Sequence, residues 1–168
     1  YLEMPKIAAP TAYRDQDALS MDQRGERYAD LLEKEILKQD PETVLAFLAE
    51  PVGGASTGAL VAPDSYYPKV REICNRYGVL LIADEVLCCT GRTGEYLALT
   101  HWGVQADIVA LAKGLAAGYS PLGAVVAKEE LVEAVLDDVG FMHGYTYAGN
   151  PMACAAGKAV LELSLIHI

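Results

Sequence analysis

The sequence predicts an α/β fold: a three-layer α/β/α arrangement around a mostly parallel sheet. Two observations support this prediction. Apolar runs of strand length, which fit strands buried on both faces, alternate with segments of helical periodicity. The 168 residues are also 52% hydrophobic and 21% charged, which is a globular composition and enough chain for one domain core.

Negative charge dominates the composition, with 23 acidic and 13 basic residues and a formal net charge of −10. This balance argues against nonspecific binding to nucleic acid or to an anionic membrane, because both require positive surfaces. The four cysteines form no CxxC pair and no ligand spacing with the three histidines. We therefore expect a cytoplasmic protein with reduced thiols, no metal site, and no nucleic-acid or membrane partner.

The first element expected after an irregular lead-in over residues 1–18 is a helix. Ser20 and Gln23 have the spacing of a capping box, and apolar residues follow them at helical intervals. The helix should end near Pro41, because proline cannot continue it.

Two strands and a helix are expected next. Residues 44–49 form a continuous apolar run that predicts the first buried strand. A glycine-containing loop separates it from a helix over about residues 65–77. The helix should end there because Gly78 stands where a C-terminal cap glycine belongs. Residues 79–83 predict the second strand.

The remaining elements are shorter. Strands are expected at residues 108–112 and 123–127, and helices at residues 129–137 and 151–163. Residues 164–168 continue the helical pattern poorly and are expected to be a frayed or artefactual tail. With about four strands and no edge strand at either end, the sheet should be incomplete.

Polar side chains follow three successive predicted strands. Glu50 follows the first strand and Lys113 follows the third, while Asp84 and Glu85 follow the second. Each alone is explained as a polar residue at the start of a loop. Ligands of open α/β sheets bind at the carboxyl ends of the strands, so the three positions together predict a site. No GxGxxG or P-loop motif supports a nucleotide.

The chemistry of Lys113 and Asp84 suggests pyridoxal phosphate. Lys113 stands at an apolar strand end, where desolvation would lower the pKa of its amine and make it nucleophilic, as Schiff-base chemistry requires. A buried Asp84 needs a cationic partner, and a protonated pyridine ring supplies one. If the strand continued through Val86, that side chain would share a face with Asp84 and could pack on the ring.

Residues 47–163 resemble the central part of a class III aminotransferase, a pyridoxal-phosphate enzyme of the aspartate aminotransferase fold (fold type I). Six matching segments occur in the family's order and at about its spacing, which is far more specific than any one of them. The segments are residues 49–52, 78–86, 91–94, 112–115, 118–125 and 146–151.

The resemblance implies a role for each matching residue. Lys113 would form the Schiff base with the cofactor and move the substrate's α-proton, and Asp84 would keep the pyridine nitrogen protonated. Val86 would pack against the ring. Glu50 would either contact the cofactor or order its own loop through backbone hydrogen bonds. Thr146 would bind the cofactor phosphate from the neighbouring subunit, which implies a homodimer with a shared active site.

The resemblance also divides the chain. Residues 1–43 would be a lead-in and helix of the large domain, residues 44–163 a partial pyridoxal-phosphate-binding core, and residues 164–168 the tail. The family's glycine- and serine-rich phosphate loop would precede the first residue. The small domain with its substrate-binding arginine would follow the last.

The implied reaction is transfer of an amino group from an amine or ω-amino acid to a 2-oxo acid. Ala55 occupies the position of a second glutamate that members acting on γ- and ω-amino acids often have, which favours enzymes resembling amine:pyruvate transaminases. Leu87 stands where the family usually has a glutamine, isoleucine or similar residue, and it could not hydrogen-bond the cofactor's phenolic oxygen as a glutamine does.

Three alternatives stay open. The protein could be an aminomutase or a decarboxylating transaminase of the same fold. The chain could be a fragment without activity of its own. It could also be a binding module that does not use pyridoxal phosphate, in which case Lys113 would be exposed to solvent with an ordinary pKa.

Overall fold

A computed structural model describes residues 4–167, with side chains through residue 164. Four strands form one sheet and four α-helices accompany it. The strands are β1 (Ala46–Ala49), β2 (Leu80–Asp84), β3 (Ile108–Leu111) and β4 (Ala124–Ala127). The helices are α1 (Met21–Gln39), α2 (Tyr66–Tyr77), α3 (Glu129–Asp138) and α4 (Pro151–His167).

The sheet is mostly parallel, as predicted. Its strand order is β1-β2-β3-β4; β1, β2 and β3 are parallel, and β4 runs antiparallel to β3. Ala49 pairs with Ala83 and Asp84 pairs with Ala110, so the carboxyl ends of the three parallel strands lie at one edge. We call this the carboxyl edge.

Helix α1 begins and ends where the sequence predicts. The Gln23 amide donates to Ser20 Oγ at 3.2 Å, and the Ser20 amide donates to Gln23 Oε1 at 2.9 Å, which completes the capping box. The helix ends at Gln39, immediately before Asp40 and Pro41. Two other elements end later than predicted. Strand β2 includes Asp84, and helix α4 continues four residues past Leu163 to His167.

One face of the sheet packs against α1 and α2. Gly78 ends α2 with a φ of 66°, a left-handed conformation that favours glycine, and the chain turns directly into β2. Leu81 and Ala83 point into this core. The buried helical residues that meet them include Ala29, Leu32 and Ile36 of α1 and Tyr66, Val70, Ile73 and Cys74 of α2.

The opposite face of the sheet carries Asp84. Because paired residues of neighbouring strands share a face, Leu48, Ile82, Asp84 and Val125 lie on the same side. Leu48 is 61% exposed and Val125 is 73% exposed. Residues 4–164 therefore leave apolar parts of this face in contact with solvent.

Among residues 4–167, the structure contains no helix with the length and apolar character needed to cross a lipid bilayer. The four cysteines are free thiols, and Cys74, Cys88 and Cys89 are buried.

A buried ion network joins the elements at the amino end of β3. Asp107 is 7% exposed, and its carboxylate accepts hydrogen bonds from Arg71 of α2 at 2.7 Å and from Lys128 at 2.6 Å. The Leu81 amide of β2 donates to it at 2.7 Å. Burial alone would raise the pKa of Asp107, but the hydrogen bonds from Lys128, Arg71 and the amide outweigh it and lower the pKa to about 2.

We expect Asp107→Asn to destabilise the complete protein by about 2 kcal/mol near neutral pH, since an amide presents a donor to groups that are themselves donors. The folded pKa lies below the ordinary carboxyl pKa, so this stabilisation is present above about pH 4 to 5 and is lost as the pH falls toward 2. Acid unfolding of the wild type and the variant, followed by circular dichroism, should show their difference shrinking in that window. The exposed control Asp138→Asn should unfold like the wild type, and a constant difference from pH 7 to 2 would contradict the expected linkage.

Candidate active site

The carboxyl edge brings together three residues that the sequence singled out. Glu50 directly follows β1, and Asp84 is the last residue of β2. Asp84 pairs with Ala110 of β3, and Lys113 lies three residues beyond Ala110. Parallel pairing therefore places Asp84 and Lys113 at the ends of neighbouring strands, as predicted.

Asp84 is half-buried and its carboxylate is oriented by its own turn. The Val86 amide donates to Asp84 Oδ1 at 3.0 Å. The premise that β2 continues through Val86 is wrong, because the strand ends at Asp84 and residues 86–90 form a turn. The turn closes because the Glu85 carbonyl accepts hydrogen bonds from two downstream amides. Val86 thus stays beside Asp84 through a hydrogen bond and not through the alternation of a strand.

Lys113 is exposed, and the expectation that its own chain desolvates it is wrong for the residues described. Lys113 begins a 3₁₀ turn, Lys113–Ala116, which buries Leu115 and Ala116 and leaves the lysine side chain toward solvent. Its φ is 45°, in the left-handed region that a non-glycine residue occupies at a cost of about 1–3 kcal/mol. The surrounding backbone must hold it there.

The turn after β2 packs against the residues on both sides of Lys113. The buried Cys89 thiol donates to the Ala112 carbonyl, with a sulfur–oxygen distance of 3.4 Å. A Cβ added to Gly114 would lie 3.2 Å from the Cys89 carbonyl oxygen and 3.4 Å from Thr90 Cβ. Only a glycine allows this close approach without displacing the turn.

Glu85 is a fully buried carboxylate that the sequence placed at the strand end without a role. Its oxygens accept hydrogen bonds from the Cys88 thiol and from the amides of Ala98 and Leu99, each at 2.9 Å. Burial, and then the contact with Glu85, raises the pKa of the Cys88 thiol to about 12, so the thiol stays protonated and donates. The two amides begin the 3₁₀ helix Ala98–Trp102, whose packing no local motif announced.

Glu50 orders the loop that follows β1. Its carboxylate accepts a hydrogen bond from the Gly54 amide, and its carbonyl accepts one from the Tyr67 hydroxyl at 2.7 Å. Burial raises the pKa of Tyr67 far above its usual value, so the hydroxyl remains a donor. Of the two roles that the sequence left open, loop ordering is the one for which the structure has contacts.

Thr146 lies in an exposed turn between α3 and α4, which the Ala148 amide closes by donating to the Tyr145 carbonyl at 2.9 Å. Aromatic rings flank it: the rings of Phe141 and His143 are 6.3 Å apart, and those of His143 and Tyr145 are 4.8 Å apart. The cofactor contact of Thr146 stays a prediction.

Comparisons with known proteins place the chain among aminotransferases. The sequence profile described as aminotransferase class-III matches residues 2–165. Putrescine–pyruvate aminotransferase of Pseudomonas aeruginosa is 46% identical over 149 residues, which are 89% of this chain and 32% of the relative. Gamma aminobutyrate transaminase 2 of Solanum lycopersicum is 40% identical over 141 residues, 82% of this chain and 31% of the relative. The chain thus spans about a third of the length of these relatives.

Solved structures of transaminases superpose closely on the chain. An (S)-enantioselective omega-transaminase from Thermomicrobium roseum superposes with a TM-score of 0.89 at 40% identity, covering 99% of this chain and 38% of that one. A PLP-bound amine transaminase from an uncultivated Pseudomonas species has a TM-score of 0.86 at 43% identity, covering 94% of this chain and 36% of that one.

We expect Gly114→Ala to lower the stability of the complete protein by about 1 kcal/mol, because the new methyl group meets the Cys89 carbonyl at a distance tighter than ordinary contact. The matched control is Gly144→Ala, where a Cβ meets nothing within 4 Å and the backbone needs no positive φ. Thermal unfolding of both variants measures the difference. Equal melting temperatures would show that the turn does not press on Gly114.

Proposed function

Since the chain belongs to the class III aminotransferase family, we propose that the complete protein is a pyridoxal-phosphate-dependent transaminase. It would move an amino group from an amine or ω-amino acid to a 2-oxo acid. The observation that carries this proposal is the placement of Asp84 and Lys113 at the carboxyl ends of neighbouring parallel strands. The name of the putrescine–pyruvate relative, which pairs an amine with a 2-oxo acid, supports the substrate classes.

The residues at the carboxyl edge fit pyridoxal phosphate by their chemistry. Asp84 offers a carboxylate whose Oδ1 is held by the Val86 amide, and within residues 4–164 Oδ2 has no hydrogen-bond partner. Such a carboxylate suits a protonated ring nitrogen. Lys113 offers a primary amine in an exposed position, open to an aldehyde.

When bound, the cofactor supplies an electron sink for the carbanion of the amino donor. Lys113 Nζ would hold the cofactor until the amine of the donor displaces it. The freed Nζ would then take the proton from the donor's α-carbon, and in the second half-reaction it would deliver a proton to the carbon of the 2-oxo acid that receives the amino group. Asp84 would keep a proton on the ring nitrogen through its free carboxylate oxygen. Val86, tied to Asp84 by its amide, would pack on the ring, and Glu50 would keep the neighbouring loop ordered.

A homodimer belongs to the same proposal. Thr146 would reach the cofactor phosphate of the partner subunit, and the exposed aromatic residues around it suit burial in an interface. Phe141, Tyr145 and Tyr147 all have most of their side-chain surface in solvent. A second subunit would also help to cover the carboxyl edge.

A binding module without the cofactor is the second candidate, because Lys113 is exposed in the chain described here. An aminomutase or decarboxylating transaminase would use the same residues. Product analysis with and without a 2-oxo acid separates the aminomutase, since it needs no acceptor.

Trapping the cofactor tests the proposal directly. In the complete protein loaded with pyridoxal phosphate, sodium borohydride should leave the cofactor attached to Lys113, as peptide mapping would show. Lys113→Arg keeps the positive charge and should lose the label. A label on another lysine such as Lys128, or no label at all, would defeat the proposal and favour the binding module.

Asp84→Asn should lower kcat by about 100-fold or more, because an amide does not hold a proton on the ring nitrogen as a carboxylate does. The exposed Asp64 provides the matched control, and Asp64→Asn should leave kcat unchanged. Steady-state kinetics with an amine donor and pyruvate measure both. Retention of full activity in Asp84→Asn would remove Asp84 from the site.

A further inference from the structure

Glu85 lies next to Asp84 and has no part in the chemistry proposed above, yet its burial is costly. An ionised carboxylate without solvent requires hydrogen bonds to both oxygens. Glu85 has them: Cys88 and Ala98 donate to Oε2, and Leu99 donates to Oε1. The Glu85 carboxylate thus connects the end of β2 to the turn at residues 86–90 and to the start of the 3₁₀ helix Ala98–Trp102.

The backbone of Glu85 adds two further links. Its amide donates to the Ala110 carbonyl at 3.0 Å, which extends the pairing of β2 with β3 by one residue. Its carbonyl accepts from the amides of Cys88 at 3.1 Å and Cys89 at 2.8 Å, which closes the turn. Glu85 therefore contacts the strand that leads to Lys113 and the turn that packs against it.

That turn packs against the residues on both sides of Lys113. Cys89 donates through sulfur to the carbonyl of Ala112, the residue before the lysine. The Cys89 carbonyl and Thr90 close over Gly114, the residue after it. Lys113 keeps its left-handed φ of 45° between these two contacts. Displacing the turn would release the backbone on both sides of the lysine.

We propose that Glu85 is a positioning residue that holds Lys113 in register with Asp84 through the turn at residues 86–90. The part that concerns Lys113 and Asp84 as cofactor residues rests on the proposed function. The mechanical coupling between Glu85 and the segment at residues 112–118 does not, and it can be measured without cofactor.

Hydrogen exchange of the cofactor-free complete protein measures this coupling. In Glu85→Gln the new side-chain NH2 group would face the Cys88 thiol and the Ala98 and Leu99 amides, which are themselves donors, so hydrogen bonds would be lost. Backbone amides in peptides covering residues 86–99 and 112–118 should therefore exchange about tenfold faster than in the wild type. Peptides of α1 should be unchanged. The control Glu95→Gln removes an exposed carboxylate from the same loop and should change neither segment.

Two outcomes would overturn the proposal. Faster exchange throughout the protein would assign Glu85 to general stability. Faster exchange at residues 86–99 with none at residues 112–118 would show that the turn moves without affecting the lysine segment.

A milder pair of variants decides the matter if Glu85→Gln does not fold. Cys88→Ala removes one donor to the Glu85 carboxylate, whereas Cys88→Ser replaces the thiol with another donor. Exchange at residues 112–118 should rise in the alanine variant and return toward the wild-type rate in the serine variant. Equal exchange in the two variants would contradict a role for this hydrogen bond.

Cofactor labelling separates this proposal from the proposed function. As pyridoxal phosphate is titrated and trapped with borohydride, Glu85→Gln should need several-fold more cofactor for half-labelling of Lys113. If wild-type Lys113 takes no label, the proposed function fails while the exchange data still decide the coupling. Suppose that Lys113 is labelled, but Glu85→Gln changes neither the hydrogen exchange of residues 112–118 nor the cofactor concentration needed for half-labelling. The positioning role of Glu85 then fails, while the proposed function stands.

Discussion

Parallel pairing of β2 with β3 is the constraint on which the candidate site depends. Strands that run in the same direction end at the same edge, and this register sets Asp84 opposite Ala110 with Lys113 three residues beyond. Were β3 antiparallel to β2, the lysine would lie at the opposite edge from the carboxylate. The antiparallel β4 shows that the chain can reverse, and it does so after the lysine, which leaves the pair intact.

Two buried carboxylates fasten the ends of this strand pair. Asp107 binds α2, β2 and Lys128 at the amino end, where two cations neutralise it. Glu85 binds a turn and a 3₁₀ helix at the carboxyl end, where two amides and a thiol surround it. The first network joins elements of the fold, and the second lies at the edge that carries the candidate site residues. Both carboxylates are buried and both have hydrogen-bond donors, as burial of a polar group requires.

The exposed surfaces of the chain correspond to contacts that the site would need from elsewhere. Lys113 lies in solvent, and Leu48 and Val125 are exposed on the sheet face that carries Asp84. The chain spans about a third of the relatives' length. The homodimer proposed above would cover these surfaces with a second copy of the protein and would thereby provide the dry surroundings that the proposed role of Lys113 requires.

Local chemistry in the sequence determined most of the elements and the edge at which the site lies. The capping box of Ser20, the cap glycine at Gly78 and the apolar strand runs depend on neighbours in the chain, so their structures follow from short-range physics. Tertiary structure alone decided what depends on distant residues. The donors to Glu85 come in part from Ala98 and Leu99, and the exposure of Lys113 follows from which neighbours the 3₁₀ turn buries. Hydrogen bonds and burial between segments far apart in the chain leave no periodic trace in the sequence.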